Sequence, residues 1–118
     1  MQTFTDDKNT YSVDAMFIYL ANNNHPMCSL KIPELIHTMD FKCWGDETCT
    51  PRQLLVNPLF DIKHWIRIIR ADLSYPIIVV DNYIIDGMHR LSKAIMNNDI
   101  DINAYIFDTE LLNTFIID

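Results

Sequence analysis

Aspartate, glycine, histidine and arginine crowd together at one place in this chain, Asp86-Gly87-Met88-His89-Arg90. Gly87 is one of only two glycines. Lacking a Cβ, it lets the backbone take conformations closed to other residues and come close to a ligand. Tyr83-Ile84-Ile85 before it reads as a strand, and Met88, Leu91, Ala94 and Ile95 after it are spaced for a helix. A turn that passes a strand directly into a helix exposes the helix N-terminus. Its first amides have no intrahelical partner and lie at the positive end of the macrodipole, which makes an anion site. His89 and Arg90 fall in that first turn and Lys93 one turn later, and Arg90 can grip a phosphate with two parallel donors. Two basic residues at a helix start oppose the dipole by up to about 1 kcal/mol each. Broken local rules of this kind mark function. The purely structural alternative has Asp86 as an N-cap and Arg90 paired with a surface carboxylate.

Other residues bear on the same turn. His64 and Arg67 lie along one line of a helix leading into the hairpin, where they can supply further donors to an anion, while Lys63 and Arg70 read as solvated surface. His25 and Cys28 with Cys43 and Cys49 match no standard zinc spacing, so the thiols read as small buried groups and no structural metal is expected. Trp44 and Trp65 suit a core or a stacking role equally. Glu34 reads as complementing a helix dipole.

The elements that position these residues follow from periodicity. Val13, Met16, Phe17 and Leu20 predict a helix over 12–20 with Ser12 as N-cap, and Asn22-Asn23-Asn24-His25-Pro26 ends it. Cys28 to Ile32 alternates as a strand, and Pro33 opens a helix running to Met39. Residues 40–58 have loop composition, with a short helix beginning at Thr50-Pro51. Ile62, Trp65, Ile66, Ile69 and Leu73 mark the buried face of a helix over 61–72. Ile77-Ile78-Val79-Val80 is a central strand, Asp81-Asn82 a two-residue turn of residues that tolerate positive φ, and Ile100 to Phe107 a return strand. Glu110 to Ile117 predicts a last short helix, and Met1 to Thr10 a loose polar end.

Composition limits the functions. The chain has 118 residues, 49% of them apolar, enough for one domain with one core. No apolar stretch is long enough to span a membrane and no signal peptide opens the chain, so a cytoplasmic protein is expected. Three cysteines fit a reducing compartment better than a disulfide framework. The formal charge of −7 disfavours non-specific binding of nucleic acid. Against it, Lys63, His64, Arg67, Arg70, His89, Arg90 and Lys93 cluster, which suggests a local anionic ligand.

The run Tyr75 to Val80, then Tyr83-Ile84-Ile85-Asp86-Gly87-Met88-His89-Arg90-Leu91 with Lys93-Ala94, and Ile102 to Ile106 as return strand, resembles the ParB/sulfiredoxin superfamily. The resemblance spans residues 75–107 and implies a ParB/sulfiredoxin-like fold. It also implies that Gly87, Met88, His89 and Arg90 cradle nucleotide phosphates. Asp86 would then serve as base or as ligand to a magnesium ion. Members of the superfamily hydrolyse CTP, use ATP to reduce cysteine sulfinic acid, or phosphorylate serine with ADP. Met88 stands where sulfiredoxins carry their reactive cysteine, which argues against sulfinic acid reduction. No helix-turn-helix region follows the return strand, which argues against DNA partitioning.

The expectation is a single α/β (α+β) domain over 1–118, a small mixed sheet with flanking helices, its phosphate turn facing a cleft covered by the 40–58 loop. The expected activity is phosphotransfer or nucleotide hydrolysis with ATP, ADP or CTP. Asp86 and His89 would be catalytic, and Gly87, Met88, His89, Arg90, Lys93, His64 and Arg67 would bind phosphate. The acceptor would be a small molecule or a protein. The rival is a non-catalytic nucleotide-sensing or protein-binding module of the same fold, and a nuclease is a weaker third reading.

Overall fold

The computed structural model describes residues 1–44 and 49–117. Its centre is the β-branched run, which forms a strand with all four side chains buried. In chain order the strands are β1 (Thr3–Thr5), β2 (Thr10–Ser12), β3 (Met27–Lys31), β4 (Ile77–Val80), β5 (Tyr83–Asp86) and β6 (Asp101–Ile106). The helices are α1 (Val13–Asn22), α2 (Pro51–Val56), α3 (Ile62–Arg70), α4 (Met88–Met96) and α5 (Thr109–Asn113). Four strands make one sheet in the order β3-β6-β4-β5. β6 runs parallel to β4 and antiparallel to β3, and β5 pairs antiparallel with β4, so the sheet is mixed as expected. Asp81 and Asn82 at the tip of the β4–β5 hairpin both have positive φ, 50° and 62°, the mirror-image turn that matches strand twist.

Strand alternation sends β4 to two cores. Ile77 and Val79 pack with Met88, Leu91 and Ala94 of α4 on one face, and Ile78 and Val80 with Val13, Met16, Phe107 and Leu112 on the other. Burial of each such aliphatic side chain contributes about 1.5–3 kcal/mol. Ser12 caps α1 as its position suggested, its hydroxyl accepting from the Ala15 amide. Thr50 and Gln53 form a reciprocal capping box at the start of α2. Among the described residues no helix is long and apolar enough to cross a membrane.

Several expectations are corrected. Residues 1–10 are not a loose end: β1 and β2 form a small hairpin, and Val13 N–H donates to the Gln2 carbonyl. The helix expected from Pro33 to Met39 is two short 3₁₀ turns, Ile32–Glu34 and Ile36–Asp40; β-branched and polar residues there give little reason to extend an α-helix. The last helix stops at Asn113, and Ile116 bridges back to Tyr11. The largest change concerns α3, where Ile62, Ile66 and Ile69 face outward and His64 and Ile68 are the buried pair. Ile68 fits a small cluster with Cys49 and Leu54, flanked by Trp65 and Met96. That contact, distant in sequence, sets the helix rotation. Gly45, Asp46 and Thr48 of the expected loop lie outside the described residues.

Candidate functional site

Gly87 joins β5 to α4 with φ 110° and ψ 24°. An added Cβ would stand 2.5 Å from Ile77 Cγ2 and 2.8 Å from an Arg90 Nη2, so both conformation and space require glycine here. Gly87 is also the N-cap of α4 and supplies no side-chain cap. Asp86 is therefore the last residue of the strand and not the cap, and the first-turn amides of α4 are left without a side-chain acceptor.

Asp86 is spent on other partners. Arg90 Nη2 donates to Asp86 Oδ2 at 2.7 Å, and Gln2 Nε2 donates to Asp86 Oδ1 at 2.8 Å. The ion pair is well covered, with the Asp86 side chain 9% and the Arg90 side chain 19% exposed. Arg90 Nε is buried and has no hydrogen-bond partner among the described residues. Gln2 is itself fixed by its backbone, its amide donating to Asp14 Oδ2 and its carbonyl accepting from Val13.

His89 turns the other way. His64 Nδ1 and His89 Nε2 lie 2.8 Å apart in a hydrogen bond whose donor is set by the tautomers of the two rings. The Trp44 ring stacks on both, with centroids 4.3 Å from His64 and 5.0 Å from His89 and planes within 15°. Burial, and then the nearby His64, Arg67 and Arg90, push the His89 pKa down to about 4, so the ring is neutral at pH 7, a weak base with one N–H to donate and one nitrogen to accept.

A cleft of about 420 Å³ opens beside the turn, lined among others by Gln2, Asp86, Gly87, His89 and Arg90. Arg67 and Arg70 reach it from α3, and Phe17, Ile66 and Tyr75 give it an apolar wall. Among the described residues none of the 40–58 loop lines it; its walls come from Gln2, α1 and α3.

The structure thus brings Asp86, Gly87, His89, Arg90 and Arg67 together. His64 is buried beneath them and meets the turn through His89. Met88 is a core side chain, 8% exposed, whose contribution to a ligand is limited to its backbone. Lys93 is elsewhere: its ammonium donates to the carbonyls of Ile69 and Ala71, both at 2.8 Å, closing the C-terminal end of α3. Gln2, Phe17, Arg70, Asp72 and Tyr75 were not anticipated. Arg70 carried a signal, since it continues the Lys63 and Arg67 stripe into the cleft. Gln2 carried none, because its partner is 84 positions away.

As placed, Asp86 does not fit a magnesium ligand, since each carboxylate oxygen already holds a donor and one is the Arg90 cation. Chemically the site offers uncapped amides, three guanidinium groups and a neutral imidazole around two carboxylates, Asp86 neutralised by Arg90 and Asp72 accepting from Ser74. Compared with protein-family models, with curated proteins and with solved structures, the chain matches none.

Proposed function

We propose that the cleft binds a nucleotide through its phosphates at the N-terminus of α4, and that the associated chemistry is phosphotransfer or phosphate release. One observation carries the reading: the amides after Gly87 lack a side-chain cap and adjoin a cleft into which Arg67, Arg70 and Arg90 project. Phosphate oxygens would take the amides and the exposed guanidinium groups, while Phe17, Ile66 and Tyr75 would shelter the apolar part of the ligand. His89, neutral and beside the cleft, would serve as a further hydrogen-bonding group for the phosphate. An odd number of cysteines, three in the chain, supports a reducing, cytoplasmic setting.

A second reading, a binding module without turnover, draws on Asp86. Its two oxygens are held by Gln2 and Arg90, so it anchors the site and offers no free base. The two readings part in one experiment. Purified protein is titrated with ATP, ADP and CTP, with and without magnesium, following melting temperature and phosphate release on the same samples. A ligand at about a hundred times its dissociation constant adds roughly 2.7 kcal/mol of stability. The Arg67→Ala/Arg70→Ala variant is expected to keep the parent melting temperature and to lose that ligand-induced gain. Binding without release selects the module, and no gain with any nucleotide removes the reading.

A further inference from the structure

α3 buries only His64 and Ile68. Ile62, Ile66 and Ile69, at helical spacing, are 55, 42 and 45% exposed. Beside them Lys63, Arg67 and Arg70 form a second exposed stripe, and none of the three makes an ion pair among the described residues. About half of each isoleucine is left in water, and a contiguous apolar stripe rimmed by charge is the mark of a contact surface. The stripe is also one-sided, with cations along one edge only and the half-buried Trp65 along the other.

We infer that this outer face of α3 docks an acidic amphipathic helix of another protein, its apolar ridge on the three isoleucines and its carboxylates along Lys63, Arg67 and Arg70. The mode is a helix laid along a helix, read at three- and four-residue steps. Charge selects the occupant. A second copy of this chain laid antiparallel across a two-fold axis would set cation stripe against cation stripe, which opposes that pairing. An anionic bilayer would present its negative plane to a whole face of a molecule whose net charge is −7. A single helix meets only the basic stripe, and charges beyond about 8 Å are screened from it at physiological salt.

The probe is a synthetic helical peptide with leucine at positions i, i+3, i+4 and i+7 and glutamate along one flank. Calorimetric titration compares the parent protein with Ile62→Ser/Ile69→Ser and with Lys63→Glu. All three substituted positions are exposed and none lines the cleft; Ile66, Arg67 and Arg70 of the same face do line it, so the titrations are run without nucleotide and a docked helix is expected to compete with nucleotide for those residues. The parent is expected to bind the peptide. The double serine variant should bind at least about tenfold more weakly. Lys63→Glu should also lose affinity, and regain it with a peptide whose flank carries lysine opposite that position. The inference is overturned if the parent does not bind, or if a peptide of equal composition with scrambled spacing binds as well. It is equally overturned if the protein instead binds phosphatidylserine vesicles or sediments as a dimer that the serine variant abolishes.

Discussion

Two polar groupings flank the first turn of α4, and they solve the burial of polar atoms in opposite ways. On the cleft side, Asp86, Arg90 and Gln2 keep a charged carboxylate and a charged guanidinium, each compensated by the other at 2.7 Å. On the side of α3, Trp44, His64 and His89 form a stack in which His89 carries no charge at pH 7. A covered ion pair survives because each charge has a partner in place. A covered imidazole survives by giving up its proton, because burial penalises the charged form. The first grouping therefore responds to anions, and the second to pH.

Gly87 is the hinge on which both depend, so its substitution should have the largest effect. In Gly87→Ala the new Cβ meets Ile77 and the positive φ is strained. A loss of at least about 2 kcal/mol in urea unfolding is expected. A loss under half of that would mean the turn relaxes freely and does not hold the two groupings apart.

Asp86→Asn tests the charged grouping alone. The amide preserves the shape but leaves Arg90 short of its counter-charge, at a cost of about 2 kcal/mol for a pair this well covered. Affinity for inorganic phosphate or nucleotide should rise in the same variant, because Arg90 is released and a negative charge beside the cleft is gone. Weaker anion binding in a folded Asp86→Asn protein would show that the carboxylate itself assists the ligand, as a metal-holding group would.

The neutral grouping predicts a pH effect with a definite sign. The folded pKa of His89, about 4, lies below its ordinary value of 6.5. Between those values the unfolded chain binds more protons, so the His89 contribution is intact above about pH 6.5 and declines as pH falls towards 4. Melting temperatures of the parent and of His89→Gln across that window should converge on acidification. Parallel curves would remove burial of a neutral imidazole as the cause.

Lys93→Ala should have the smallest effect. Loss of two hydrogen bonds to the end of α3 is expected to cost under about 1 kcal/mol, with nucleotide affinity unchanged. A marked loss of affinity at full stability would return Lys93 to the phosphate site.

The amino-acid sequence by itself determined the segment from Tyr75 to Phe107. Its signals are local: the β-branched run of β4, two residues tolerant of positive φ at the hairpin tip, one glycine at the strand-to-helix turn, and the change of period after it. Each acts within a few residues of where it is written, so each can be read without knowing the rest of the chain. The rotation of α3 could not be read that way. Ile62, Ile66 and Ile69 have the spacing of a buried face, yet the helix turns them outward because Ile68 has a place ready between Cys49 and Leu54. The partners of the site charges were likewise decided by tertiary structure. Gln2 reaches Asp86 from a hairpin at the other end of the chain, and His64 reaches His89 across a gap of 25 positions. Side-chain hydrogen bonds and ring contacts extend only a few ångströms. Which groups fall within that reach is settled by how separate elements pack, and no local pattern records it.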